Sequence, residues 1–336
     1  MIKVLELFRM KGIIIVFIGL LLTAFSCNTN LQNDKVVIDS TEAQGDLIIF
    51  YSSSMTIPMK KIIADFEQEY PHVKVLADAS GSRTATLKIS EMNRACDILI
   101  SSDYQVINNL LIPIYTNWYI EFASNEIVLA YNDSCLGSNE INTENWFNII
   151  QKDSIRFGRT DPDSDPCGIR SVLAIKLAEK HYQVDGLKDQ LLFKDKKWIR
   201  PNDLDLLKLL DNKELDYIFI YKSVAEQREL SYVLLPEQIN LGSPKDSTFY
   251  GSVSMKVSSN KPGSYILRRG EPIKYAFTVL NTAPNPIAAE AFAQFLISKK
   301  KGLNILKNSH MQVLDSLVFQ PNDSIMKANG IELILN

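Results

Sequence analysis

Asp161-Pro162-Asp163-Ser164-Asp165-Pro166-Cys167-Gly168-Ile169-Arg170 lies between two segments of different periodicity. Ahead of it, Ile155 to Phe157 reads as a strand. Behind it, Ile169, Val172, Leu173, Lys176 and Leu177 mark a helix by their spacing. Strand, polar loop and helix in that order form one unit of an α/β architecture.

The same unit recurs on both sides. Leu47-Ile48-Ile49-Phe50-Tyr51 is a short apolar run of buried-strand character, followed by Thr56 as a helix cap and Pro58 in the first turn, where a missing N–H costs nothing. Met59, Ile62, Ile63, Phe66 and Tyr70 then follow at helical spacing until Pro71 stops them. Val73 to Leu76 returns as a strand, Ser80-Gly81-Ser82 opens another helical stretch, and Cys96 to Ile100 is again strand-like. Further on, Leu204, Leu207, Leu209 and Leu210 mark a helix ahead of the strand Tyr217 to Tyr221. The alternation predicts α/β folding with parallel sheets. Three such units carry loops rich in Ser, Gly, Asp and Pro. Folds of this kind bind ligands outside the carboxyl ends of strands, where free helix N–H groups favour anions. The same residues also serve simply as helix caps, and either role fits any one loop.

The N-terminus reads as targeting. Lys3, Arg9 and Lys11 precede an apolar run from Ile13 to Leu22, then Thr23-Ala24-Phe25-Ser26-Cys27. That run is shorter than the roughly 20 residues a spanning helix needs. Basic flank, short apolar core and small residues describe a secretory signal. A cysteine directly after small residues resembles a bacterial lipoprotein signal, which makes residues 1–27 the signal and Cys27 the lipidated residue, with Met1 or Met10 as the start. Residues 28–45, rich in Asn, Asp, Ser, Thr and Gln, are expected to be a flexible tether.

About 290 of the 336 residues remain, more than the roughly 250 at which single cores divide, so two domains are expected. Net charge is −3, and Lys and Arg are dispersed without a basic stripe, which argues against nucleic acid. His72, His181 and His310 are far apart, so neither a Cys/His metal site nor a Ser-His-Asp arrangement can be read. Of the remaining cysteines, Cys96 sits in an apolar run; a Cys135–Cys167 disulfide stays open in an exported protein.

Several stretches together resemble the archaeal-type tungstate/molybdate-binding proteins of ABC transporters. The opening decapeptide is close to that family's S-D-P-x-x-D-P-C-G-Y-R. Asn117-Trp118-Tyr119, Asn125 to Tyr131, Leu215-Asp216-Tyr217, Tyr221 to Ala225 and Gly270-Glu271-Pro272-Ile273 also match, and the likeness runs from about Leu47 to Leu306. It implies a two-lobed type II periplasmic-binding-protein fold with the ligand in the interlobe cleft. Residues 46–123 and 283–336 would form lobe 1 and residues 124–282 lobe 2, closing by hinge motion.

The resemblance also implies a ligand set. Ser53-Ser54 match a Gly-Ser pair, with Ser53 replacing the glycine, and Gly81-Ser82 match a second pair. Asp165, Pro166 and Cys167 supply the third loop, through the Asp165 carboxylate and the Cys167 amide. Asp203 corresponds to a glutamate one methylene longer, and Tyr221 to the tyrosine ahead of K-S-V-A. Ser54, Ser82, Asp165 and Asp203 also fit as helix caps, and Tyr221 as a core tyrosine. On this reading Asp165 and Asp203 bind the tungsten or molybdenum of the oxyanion, and there is no cofactor. The protein is then not an enzyme but an extracytoplasmic, lipid-anchored monomer serving a permease and its ATPase. Sulfate or phosphate is the alternative ligand. A metal-dependent phosphoesterase using Mg²⁺ at Asp161, Asp163 and Asp165 is the remote one.

Overall fold

The computed structural model describes residues 43–259 and 263–320, together with the backbone of 326–328 and 331–333. The expected signal, the expected lipidation site Cys27 and most of the expected tether lie outside the described residues. The tether expectation runs slightly too far. Ala43 is fully buried, Gly45 begins the first strand, and the Asn285 side-chain amide donates to the Gln44 carbonyl at 2.7 Å.

Two mixed sheets make two lobes. The first has strand order β13-β4-β12-β3-β1-β2, and the second β7-β6-β8-β5-β9. In the first sheet β1 is Gly45–Ser52, β2 Val73–Ser80, β3 Ile98–Ser101, β4 Tyr119–Asn125, β12 Ile273–Val279 and β13 Gln312–Gln320. In the second β5 is Ile127–Tyr131, β6 Phe157–Thr160, β7 Ile199–Arg200, β8 Tyr217–Tyr221 and β9 Ser231–Leu234. A hairpin of β10, Ser254–Ser258, and β11, Tyr265–Arg269, joins the second sheet back to the first.

The expectation of parallel sheets holds only in part. β1 pairs parallel with β2 and β3, and β6 with β7 and β8. By contrast β12 runs antiparallel between β3 and β4, while β5 runs antiparallel to β8 and β9. β12, the strand on which the chain returns to the first sheet, thus runs against both of its neighbours. The return also comes earlier than expected. Residues 273–279 belong to the first sheet, so the lobe boundary falls before Ile273 and not at 283. The outward crossing falls between β4 and β5, at Asn125–Ile127. Residues 280–285 are the turn from β12 into a helix of the same lobe.

Seven helices bear on the site: α1 Thr56–Glu69, α2 Ser82–Ser90, α3 Tyr104–Leu110, α4 Pro166–Tyr182, α5 Asp203–Asp211, α6 Lys222–Gln227 and α7 Pro286–Ile297. Met59, Ile62 and Phe66 of α1 are buried at the expected spacing. The Phe66 ring meets Tyr70, Phe292 and Phe295 at centroid distances of 4.6, 5.0 and 5.6 Å, which fixes α1 against α7. Thr56 does not cap α1. Met55 holds the cap position, and the Thr56 hydroxyl donates to the Ser53 carbonyl at 2.6 Å.

α4 begins with Pro166 and has Asp165 as its N-cap. A Cβ on Gly168 would lie 2.3 Å from the Thr160 carbonyl oxygen. Only glycine lets the first turn of α4 seat on the end of β6, which explains the Cys167-Gly168 pair.

Candidate functional site

The loops singled out in the sequence all leave the carboxyl ends of strands. Ser53 and Ser54 follow β1, Ser82 opens α2 after β2, and Asp165 caps α4 after β6. Asp203 opens α5 after β7, and Tyr221 ends β8 at the start of α6. Ser53, Ser54, Ser82, Asp165, Cys167, Asp203 and Tyr221 are all buried. An added Cβ on Gly81 would lie 3.0 Å from that of Asp165, so the second and third loops touch across the lobes. Asp203 and Asp165 are close enough to repel one another, and both lie near Cys167.

Their hydrogen bonds separate capping from other roles. Asp165 Oδ1 accepts the Cys167 amide at 3.0 Å. Asp165 therefore does cap its helix, with one oxygen. The Cys167 amide, expected as a donor to ligand, makes that bond in this structure. Asn202, not Asp203, caps α5, accepting the Asp205 amide at 3.0 Å. Both Asp203 oxygens are left without a hydrogen-bond partner, as are the Ser53 hydroxyl and the Tyr221 hydroxyl. A buried polar group left unmatched costs about 1–3 kcal/mol, and these atoms are free to meet polar groups of a ligand. Ser82 Oγ accepts the Ser102 amide at 3.0 Å and faces the Ser102 hydroxyl at 3.2 Å. Ser54 Oγ contacts Ser52 Oγ at 2.9 Å and the Tyr275 hydroxyl at 3.0 Å.

Burial dominates the electrostatics. It pushes the Asp165 carboxyl well above the usual range, and repulsion from Asp203 pushes it further. Burial likewise pushes Asp203 up to about 6, moderated by the nearby Ser53 hydroxyl and the amides of Asp203 and Leu204, none of which closes to a hydrogen bond. The Tyr221 phenol and the Cys167 thiol are driven up by burial too, so both stay protonated near neutral pH. Cys167 is thus wall and not nucleophile. Cys96, Cys135 and Cys167 are all free, so the Cys135–Cys167 bridge left open by the sequence is not formed.

The Mg²⁺ reading fails on geometry. Asp161 accepts the Asp163 amide at 3.0 Å and the Ser164 hydroxyl at 3.3 Å, and Asp163 accepts the Ser258 amide at 2.7 Å. Those carboxylates shape the loop. Among the described residues no group of three or more His, Cys, Asp or Glu is arranged to hold a metal ion.

The lobes meet on both sides of this cluster. The Thr84 amide donates to the Ser164 carbonyl at 3.2 Å, and Arg83 Nε donates to the Asp163 carbonyl at 3.2 Å. Opposite them, Asp103 of the first lobe receives Arg268 Nη2 at 2.6 Å and lies 3.4 Å from Arg170 Nη2. Glu271 completes that group, accepting the Tyr104 hydroxyl at 2.8 Å. Burial alone would raise the Asp103 carboxyl, but Arg268 and Arg170 outweigh it and hold it below the usual range. On the Asp203 side a small, solvent-open hollow is bordered by Ser53, Thr56, Asp203, Leu207 and Arg228.

Sequence reading did not single out Asp103, Thr160, Arg268 or Tyr275. Thr160 is buried with an unpartnered hydroxyl, and electrostatically it lies close to Cys167. Tyr275 stands two residues beyond a stretch that carries the resemblance, and Arg170 lies within one. No spacing rule marks the other two.

Comparison with known proteins agrees with this architecture. Residues 47–312 match the family described as bacterial extracellular solute-binding protein. A solute-binding protein from Petrotoga mobilis is 45% identical over 254 residues, covering 75% of this chain and 79% of the relative. The molybdate/tungstate-binding protein WtpA of Thermococcus kodakarensis is 34% identical over 331 residues, covering 89% and 92%. Among solved structures, the periplasmic molybdate-binding protein of Azotobacter vinelandii superposes with a TM-score of 0.58 at 13% identity, covering 80% of this chain and 100% of that one. The sulfate-binding protein SubI of Mycobacterium tuberculosis gives 0.58 at 12%, covering 81% and 88%. At those identities the superpositions speak for the fold, that of periplasmic binding proteins, and not for a ligand. Membership of a binding-protein family agrees with the expectation of a non-enzymatic role: the chain belongs to the bacterial extracellular solute-binding protein family.

Proposed function

We propose that the chain captures tungstate or molybdate between its lobes and hands it to an ABC permease and its ATPase, working outside the cytoplasm on a lipid anchor at Cys27. The observation that carries this reading is the carboxyl pair. Asp165 and Asp203 are both buried and near enough to repel one another, and both Asp203 oxygens lack hydrogen-bond partners. A sulfate or phosphate finds repulsion there, whereas a tetrahedral oxyanion of a large metal centre finds two oxygen ligands. The WtpA relatives, 34% and 36% identical to this chain, support the same choice by name. Titrating the purified soluble domain with tungstate, molybdate, sulfate and phosphate tests it. Tungstate or molybdate should bind far more tightly than the other two. Preference for sulfate or phosphate would replace the ligand, and binding of none would remove the reading.

Capture requires closure, because Ser54 and Ser82 belong to the first lobe and Asp165, Asp203 and Tyr221 to the second. A ligand that touches both must favour the closed state through that difference in contact. Gly81 supplies a direct test. A Cβ there would lie 2.4 Å from the Ser164 carbonyl oxygen of the opposite lobe, a contact that exists only when the lobes meet. Gly81→Ala should weaken tungstate binding about tenfold, roughly 1.4 kcal/mol. Equal affinity by calorimetry would show that the ligand does not need this closed contact.

A further inference from the structure

We infer that Tyr275 is a positioning residue that fixes the direction of the Ser54 hydroxyl, acting from Asn125 at the crossing between the lobes. The inference deepens the oxyanion reading above and rests on it.

The donor order follows from the partners. Asn125 is the last residue of β4, where the chain leaves the first sheet. Its Oδ1 accepts the backbone amides of Glu126 at 3.0 Å and Ser223 at 3.3 Å. Two amide donors on one atom identify that atom as the oxygen, so the side-chain nitrogen faces Ser223 Oγ at 2.7 Å and the Tyr275 hydroxyl at 3.2 Å. An amide nitrogen only donates, and the Tyr275 oxygen therefore accepts from Asn125. Tyr275 is fully buried, and burial keeps its phenol protonated. Its proton goes to Ser54 Oγ, 3.0 Å away.

Ser54 Oγ thus receives a proton, and its own proton must point elsewhere. Ser52 Oγ at 2.9 Å takes it when the cleft offers nothing better. An oxyanion in the cleft is the better acceptor, since hydrogen bonds to charged groups are roughly twice as strong as neutral ones. Without Tyr275 and Asn125 the Ser54 hydroxyl would be free to present a lone pair to the anion, which repels it. Asn125 also binds Ser223 at the start of α6, directly behind Tyr221. The relay is therefore assembled from both lobes at the hinge.

The test is a double-mutant cycle read by calorimetry with tungstate, on wild type, Tyr275→Phe, Ser54→Ala and the pair. Tyr275→Phe should lose about tenfold in affinity, and the double variant should bind no more weakly than Ser54→Ala alone. A general structural effect of losing the hydroxyl would instead lower affinity by the same factor in both backgrounds. That result, or wild-type affinity in Tyr275→Phe, overturns the inference. Asn125→Asp provides a second route: a carboxylate keeps the two backbone amides but accepts from Tyr275, drawing its proton off Ser54. The same Ser54-dependent loss is expected, and undiminished affinity counts against the relay. A wild-type protein that binds none of tungstate, molybdate, sulfate or phosphate overturns the oxyanion reading itself, an outcome distinct from failure of the cycle.

Discussion

Asp103→Asn should destabilise the protein by about 3–5 kcal/mol, the usual consequence of removing one partner from a buried ion pair. Asp103 is fully buried, as is Arg170, and Arg268 is nearly so. Its two oxygens do three things. Oδ1 caps α3 by accepting the Gln105 amide at 3.0 Å and lies 3.4 Å from Arg170 Nη2, while Oδ2 accepts Arg268 Nη2 at 2.6 Å. Asparagine keeps the cap and the shape but removes the charge. Two buried guanidiniums would then share Glu271 alone, whose side chain is 20% exposed and 3.4 Å from each. Several of their N–H groups, Arg170 Nε and Nη1 and Arg268 Nε, already lack partners, so little else is at hand to compensate them. A loss of that size corresponds to roughly 6–20 °C in melting temperature. Denaturant and thermal unfolding both read it. Adding Arg268→Met to Asp103→Asn should recover part of the loss, because deleting a buried pair is cheaper than breaking it. A cost under about 1 kcal/mol for Asp103→Asn alone would mean that the cluster is solvated and not a sealed contact between lobes. Since Asp103 belongs to the first lobe and the arginines to the second, the same variant should also weaken closure on ligand.

This cluster marks the limit of what a sequence carries. The strand–loop–helix units are legible because each is local: Met59, Ile62 and Phe66 declare a buried helix face by spacing alone. The loops are legible for the same reason, as Asp165 ahead of Pro166 and Ser82 after Gly81 sit next to the helices they serve. Position 103 meets 170, 268 and 271 only through the fold, and no period connects them. The return strand shows the same blindness. Ile273 to Val279 takes its place between β3 and β4 by tertiary pairing, which no local pattern announces, so the boundary expected at 283 fell too late. Asp203 lies between these cases. Its position ahead of an apolar helix suggested a cap, but Asn202 beside it takes that role and leaves the Asp203 carboxyl unpartnered, a division that adjacent polar residues do not reveal.

Tungstate affinity should fall by about a hundredfold or more in either Asp165→Asn or Asp203→Asn, since even partners outside the first coordination shell cost 10- to 100-fold at metal centres. The reasoning starts from repulsion. Unit charges about 4 Å apart cost roughly 1 kcal/mol in water and about 4 at an effective dielectric of 20, and a dianion doubles both. A site for sulfate avoids that by keeping its carboxyls protonated. Tungsten(VI) and molybdenum(VI) avoid it differently, by accepting carboxylate oxygens into an incomplete coordination shell. The two cases have opposite pH dependence. Burial raises Asp203 from 3.8 to about 6 and Asp165 in the same direction. In the unliganded protein this raised value favours folding below the unfolded pKa, and the benefit is lost as pH rises through about 6. For Asp203 alone the gap is on the order of 3 kcal/mol. Coordination needs the deprotonated form, so tungstate affinity should decline as pH falls through about 6, with proton release on binding, while unliganded stability rises. Protonated carboxyls donating to sulfate would make affinity increase over the same interval. Calorimetry in buffers of differing ionisation enthalpy, at several pH values from about 5 to 8, distinguishes the two. The asparagine variants should flatten the tungstate profile and bind sulfate no worse than wild type. If both bind tungstate as tightly as wild type at every pH, the carboxylates are not ligands, and hydroxyls such as Ser54, Ser82 and Tyr221 hold the anion alone.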